Sequence, residues 1–449
     1  VTTWRNWSRA VTAHPAEIIS PADEAEVAAV IGRAATAGQR VRAVGAGHSF
    51  TPIAATDGVI LRLDRLTGLR SAAAETGLVT LGAGTRLHDV PEMLRPYGLA
   101  METLGDIDAQ TIAGAISTGT HGSSATFAGM PSQVRGLRIV LADGSVVACS
   151  AAVHPELFSL ARLGLGAFGV ITEVTLQCVP AFLIAVDERP VPLPEILETY
   201  LERSALSDHL EFFWFPHTPT ALVKSSNRLD KDAAPERLSR WKSFVDDELL
   251  ANGFFGVTCR LGARFPGMIP HVNKAVTEGT SARHYTDDSH VAFTTPRRVR
   301  FQELEFSIEP AAMPSAMAEI GRLIDDRGLK ISFPVEVRMT AADDIPLSNS
   351  YGRQSVHVAV HQYWRESATE YFEGVEQILL AAGGRPHWAK VHTQTAQTLR
   401  GRYEKFDEAT ELRARVDPDG RFANPYVDRV LGPVPTAPPV ALAVDAVGA

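Results

Sequence analysis

Over its first 180 residues the chain alternates short apolar runs with short amphipathic ones. ISPADEAEVAAVIGRAATAGQ starts with a Ser20-Pro21 entry and then places Val27, Val30, Ile31 and Ala34 at helical spacing, which predicts a helix with one buried face. RVRAVGAGHSF reads as a strand running into a loop. GVILRLDRL and GLVTLGAGTRL read as strands, and RLHDVPEMLRPYG reads as a helix stopped by its glycine. Two alternating runs in VRGLRIVLADGSVVACS flank Asp143-Gly144, the turn pair of a hairpin. FGVITEVTLQCVP, rich in β-branched residues, closes this part as a strand.

The texture changes after Pro180. HLEFFWFP, VRFQELEFSIEP, FPVEVRMT and SVHVAVHQYW read as long strands, with AAMPSAMAEIGRLIDDRG and ATEYFEGVEQILLAAGG as helices between them. That order predicts a mostly antiparallel sheet covered by helices on one face. The expected fold class is therefore α+β in two domains, with a boundary near residue 180. Residues 433–449 are rich in Pro, Ala and Val and nearly uncharged, which predicts a loose tail.

Composition narrows the function classes. At 449 residues the chain exceeds what one core usually supports. A net charge of -9 without a Lys/Arg-dense stretch argues against a nucleic-acid partner. No run of about 18 uncharged apolar residues appears, so no integral membrane segment is expected. The N-terminal VTTWRNWSRAVTAHP lacks the apolar stretch of a secretory signal. Cys149, Cys178 and Cys259 are widely spaced without a CxxC, which predicts free buried thiols, no metal site and a cytoplasmic location.

Candidate chemistry begins with three glycine-rich stretches: Gly45-Ala46-Gly47-His48-Ser49, LGDIDAQTIAGAISTGTHGSS (104–124) and LGLGAFGVIT (163–172). Such loops either turn tightly or present backbone N–H groups to phosphate. None fits GxGxxG, because no glycine stands three beyond Gly47.

These stretches, in this order, resemble the FAD domain of the vanillyl-alcohol-oxidase superfamily. Further landmarks are EFFWFPHT (211–218), VEVRM (335–339), AVHQYW (359–364), PHWAK (386–390) and DPDGRFANPYVDRVLG (417–432). Together they resemble the sugar-lactone branch, the L-gulono-1,4-lactone and D-arabinono-1,4-lactone oxidases or dehydrogenases of actinobacterial type, with alditol oxidases as relatives. The resemblance spans about residues 4–432 and implies a PCMH-type FAD-binding domain (1–180) and a substrate-binding cap (181–385). It also implies a segment (386–432) that returns to the FAD side.

The same resemblance implies the cofactor contacts. Val44, Gly45, Ala46, Gly47 and Ser49 would surround the pyrophosphate with Gly105, Ile112, Gly114, Ser117, Thr118, Gly119, His121 and Gly122. Gly166, Gly169, Val170 and Ile171 would complete the cradle. His48 would bond covalently to the flavin 8α-methyl; the simpler reading is a hydrogen bond to pyrophosphate. His121 would orient its loop, and Ser117 would lie near the flavin N5 edge.

On the substrate side, Glu336 and Arg338 stand at i and i+2 in an otherwise apolar strand, so they share one face opposite Val335, Val337 and Met339. Either they form a solvent-facing ion pair or they form a site; in relatives the pair faces the flavin. His361 and Tyr363 repeat the spacing and would contact sugar hydroxyls, although a strand histidine is more often structural. Lys390 in PHWAK, beside Trp388 and His387, would ordinarily be a surface lysine; the resemblance implies that it reaches the substrate, and beside Arg338 its pKa is expected to fall. It would then either accept the hydroxyl proton or remain a cation that stabilises alkoxide.

The activity implied is oxidation of an aldono-1,4-lactone at C2, and the alternative is oxidation of an open-chain polyol such as xylitol or sorbitol at C1. A non-catalytic flavin- or sugar-binding protein would leave Glu336, Arg338 and Lys390 as bystanders. The electron acceptor would be oxygen or a cytochrome- or dye-type partner, governed by small side chains such as Gly114 and Ala115.

Overall fold

The structure, a computed structural model, describes residues 2–237, 255–295 and 297–434. Strands β1 (Glu17–Ile19), β2 (Val41–Val44) and β3 (Val59–Arg62) form a small parallel sheet in the order β1-β3-β2. Helix α1 (Glu24–Thr36) buries Val27, Val30, Ile31 and Ala34, the face its periodicity predicts. Its cap is Asp23, whose side chain accepts from the Glu26 N–H, so the helix starts after the expected Ser-Pro entry.

Next come β4 (Leu69–Ala73), β5 (Leu78–Gly82), helix α2 (Ile112–Thr118), β6 (Val134–Val140), β7 (Val146–Ser150) and β8 (Val170–Gln177). Their strands make a five-stranded antiparallel sheet, β7-β6-β8-β5-β4. The β6–β7 hairpin turns at Asp143-Gly144, with Gly144 in the left-handed region (φ 84°).

The second half is built on β9 (Leu183–Pro192), helix α3 (Leu193–Leu206), β10 (His209–Trp214), β11 (Thr220–Leu229) and β12 (Arg283–Asp288). It continues through β13 (Phe301–Ile308), α4 (Met313–Asp326), β14 (Val335–Thr340), β15 (Ser355–Tyr363), α5 (Thr369–Ala381) and β16 (Arg385–Pro386). The eight strands pair antiparallel throughout, in the order β12-β9-β11-β10-β14-β15-β13-β16.

This large sheet has two unlike buried faces. Phe212, Leu304, Phe306, Val335, Val337, Val358 and Val360 pack in one apolar core with residues of α3, α4 and α5. The alternate positions Glu211, Glu303, Glu305, Glu336, Arg338, His357 and His361 are also buried. Period-two geometry turns them to the other face, where they meet the glycine loops. Hydrogen bonds close that junction: Leu210 N–H donates to Ser123 O at 3.0 Å and Ser124 N–H to Met339 O at 2.6 Å.

After β16 the chain rejoins the first half. Trp388, Leu399, Tyr403, Phe406, Leu412 and Tyr426 share a core with Val27, Ile112 and Leu163. Arg42, buried on β2, donates to Phe422 O, Leu165 O and Gly166 O, joining the C-terminal segment to the third glycine loop. Of the tail expected at 433–449, residues 435–449 lie outside the described residues. The three cysteines are free and buried, and burial pushes each thiol up to about 12. Among the described residues no helix is long and apolar enough to cross a membrane.

Candidate active site

The glycine stretches come together because several of their glycines admit close approach. A Cβ on Gly45 would stand 2.2 Å from Thr111 Oγ1, so this glycine lets the first loop press against the second. Gly47 adopts φ 70°, which favours glycine, and its carbonyl accepts from the Trp7 N–H at 2.8 Å. Thr111 caps α2 by accepting from the Gly114 N–H, and the Ser117 carbonyl accepts from Leu165 N–H, tying the second stretch to the third. An added Cβ would likewise meet Thr120 at Gly105, Thr103 and Leu104 at Gly122, and Ile139 and Val140 at Gly169. Loop packing accounts for those glycines before any ligand is considered.

His48 protrudes from this junction half-buried, stacked on the Trp7 indole with ring centres 5.3 Å apart. Burial, then Arg86 and Lys390, lowers its pKa to about 4, so the imidazole is neutral at pH 7. Its Nδ1 is buried without a hydrogen-bond partner. A buried polar atom left unpaired at a loop tip fits a residue whose partner is a bound group.

On the facing sheet the charged side chains form a continuous chain across adjacent strands. Arg338 (9% exposed) pairs with Glu336 (7% exposed) and with Asp106 of the second glycine stretch, and its Nε lies 3.1 Å from Glu211. A solvent-facing ion pair is therefore excluded. Glu211 is in turn 3.4 Å from Lys224, and Arg297 stands 3.0 Å from Asp106. Burial, reinforced by Asp106 and Glu211 against Arg338, raises the Glu336 carboxyl to about 7. Burial opposes ionisation of Asp106 as well, but Arg338, Arg297 and Lys224 outweigh it and hold that carboxyl below its usual range.

His361 Nδ1 lies 3.0 Å from Pro334 O, and its Nε2 faces Glu303 at 3.6 Å and Glu336 at 3.8 Å. Lys390 pairs with Glu303. Here the sequence-based expectation is corrected. Burial does work against the Lys390 ammonium, but Glu303 and Glu305 more than offset it, so its pKa is raised, not lowered. Proximity to Arg338 is not what governs it.

A second buried group lies alongside. His121 Nε2 is 2.8 Å from Glu305 Oε1, and its ring stacks on His357 at 3.7 Å. His357 bonds Ser307 Oγ and Thr340 Oγ1. Burial opposes ionisation of Glu305, yet His121 and His387 hold it well below the usual carboxylate range. His121 thus links its loop to the sheet. His121, Glu305 and His387 could together accommodate a cation by distance alone, but the direct His121–Glu305 bond already satisfies the pair.

The structure brings together Glu336, Arg338, His361 and, through Glu303, Lys390. Tyr363, two residues beyond His361 on β15, is buried in a cluster with Phe50, Cys259, Phe301 and Phe333, and the Phe301 ring lies 5.1 Å from that of His361. Ser117 is half-buried on α2 and joins the site through its backbone carbonyl. Residues absent from the sequence-based set are Asp106, Glu211, Glu303, Glu305, His357 and His387. For Glu303 and Glu305 in FQELEFSI the signal was the i, i+2 spacing already used for Glu336 and Arg338.

Residues 174–430 match the D-arabinono-1,4-lactone oxidase family, and residues 15–150 match an FAD binding domain. The chain is 40% identical to an L-gulono-1,4-lactone dehydrogenase of Mycobacterium tuberculosis, covering 96% of this chain and 99% of the relative. It is 30% identical to an L-gulonolactone oxidase of Bos taurus, over 95% and 98%. Among solved structures, a cholesterol oxidase from B. sterolicum superposes with a TM-score of 0.79 at 17% identity over 96% of both chains, a likeness of fold.

Proposed function

Because this chain belongs to the D-arabinono-1,4-lactone oxidase family, we propose that it oxidises an aldono-1,4-lactone, such as L-gulono-1,4-lactone, at C2 with FAD as cofactor. The observation that carries the reading is the convergence of Glu336, Arg338, His361 and Lys390 on one buried sheet face opposite the glycine loops. We take residues 1–180 with 386–432 as the cofactor-binding half and 181–385 as the cap. The loops at 45–49, 105–122 and 166–171 would hold the cofactor, and His48, neutral and with an unpaired Nδ1, would carry its covalent bond. When bound, FAD supplies a two-electron sink for the hydride leaving C2.

The side chains divide the remaining work. Glu336, with its pKa near 7, takes the hydroxyl proton, which suits a general base at neutral pH. Arg338 and Lys390 stay cationic and stabilise the negative charge that develops on oxygen. His361, held through Nδ1 by Pro334 O, orients the sugar oxygen from its Nε2. The 2-ketolactone then tautomerises to an ene-diol.

The relatives' names concern lactones, and oxidation of an open-chain polyol is not favoured. The buried unpaired thiols support a reducing, cytoplasmic setting. Reoxidation of the reduced enzyme by oxygen, against cytochrome c or a dye, identifies the acceptor class. Covalency is tested by acid precipitation: flavin should stay with the wild-type pellet and leave it in His48→Ala. Yellow colour in the wild-type supernatant would contradict the bond.

A further inference from the structure

Glu303 lies on β13 directly opposite His361 on β15, so both project from the same sheet face. Its carboxylate pairs with Lys390 Nζ, and the other oxygen stands 3.6 Å from His361 Nε2. Its backbone carbonyl accepts from the Val391 N–H at 2.8 Å. One residue thus holds the Lys390 segment by its main chain and the Lys390 ammonium by its side chain. The side chain of Glu303 is 6% exposed and that of Lys390 18%. Neither can readily exchange its partner for water.

We propose that Glu303 is a positioning residue for the oxidation: it anchors the Lys390 ammonium and aligns it with His361 at the substrate face. This rests on the reading of Lys390 as a group that stabilises the reacting oxygen. Several other groups face Lys390. Glu305 comes from the same strand and Glu336 from β14, both favouring the cation. His387 and His48 lie close enough for Lys390 to lower their own pKa values, and the Phe50 ring is 5.2 Å from Nζ. Glu303 is the carboxylate in direct contact, and although burial opposes its ionisation, Lys390 and His361 hold it at about 2. Without it the ammonium keeps its burial and loses its nearest counter-charge, so its pKa must fall. Lys390 would also be free to swing toward Glu336 and compete with substrate for it.

The test follows flavin reduction by L-gulono-1,4-lactone anaerobically between pH 6 and pH 10, using flavin-loaded enzymes. In wild type the rate should rise through about pH 7 and then stay level. In Glu303→Gln it should fall at least tenfold between pH 7.5 and pH 9.5, as Lys390 loses its proton. Glu303→Asp should restore part of the plateau. Lys390→Met should be slow throughout without an alkaline fall, and adding Glu303→Gln to it should change the rate less than twofold. A Glu303→Gln profile that overlays wild type overturns the positioning role while leaving the site reading intact. A Lys390→Met enzyme as fast as wild type overturns the site reading, and the proposal with it. If Glu303→Gln alone does not fold, recovery of flavin-bound protein in the double variant supports the pairing. An equal loss in the double variant contradicts it.

Discussion

At the scale of single residues, the proposed chemistry depends on which carboxylate accepts a proton and which cation stays charged. For Glu336, burial and its acidic neighbours Asp106 and Glu211 outweigh Arg338 and His361. With a pKa raised to about 7, Glu336 is protonated below that pH and free to accept a proton above it. Flavin reduction should therefore rise with pH through the region near 7. Glu336→Gln should lose that dependence and slow by roughly 10²- to 10⁴-fold, as stopped-flow traces across pH would show. An unchanged pH profile in this variant would assign the proton to another group. The charged pair at 336 and 338 was legible from its period-two spacing, because ionised side chains on an apolar strand need a partner or a site. Glu303 and Glu305 carried the same signal in FQELEFSI. Asp106 did not, since its partner Arg338 is more than 200 positions away and only the fold joins them. The direction of the Lys390 shift was beyond the sequence for the same reason, because it depends on Glu303.

At the scale of elements, the apolar half of each pattern was readable and the polar half was not. The buried face of α1, the Asp143-Gly144 hairpin and the helices over one face of the large sheet follow directly from spacing. What spacing cannot show is that the sheet's second face is also buried, since an alternating strand reads as half-exposed whenever its polar side meets another protein surface. The glycines illustrate a related limit. A turn and a phosphate cradle look alike in sequence, whereas the structure shows Gly45 pressed against Thr111. Gly45→Ala should therefore force the first loop away from α2, costing about 1–3 kcal/mol. Thermal unfolding of the flavin-loaded variant should occur several degrees lower, with flavin released more readily. Unchanged melting and retention would mean that the two loops adjust to the added methyl.

At the scale of the whole molecule, the chain folds two sheet systems against each other and then uses its C-terminal segment to bind them. Arg42 to Phe422 and Asn424 to Pro52, Ile53 and Ala55 lock that segment to the first half. Phe50 N–H donates to Ala389 O at 2.7 Å, which ties the His48 loop to the Lys390 segment. That arrangement places a neutral histidine, a carboxyl with a raised pKa and two cations around one buried junction, the groups to which we assign the proposed dehydrogenation. The most direct measurement is the visible spectrum of the flavin-loaded protein on anaerobic addition of substrate. L-gulono-1,4-lactone should bleach the flavin within seconds to minutes, with xylitol and sorbitol far slower. A flavin that stays oxidised with every aldonolactone offered would contradict the account.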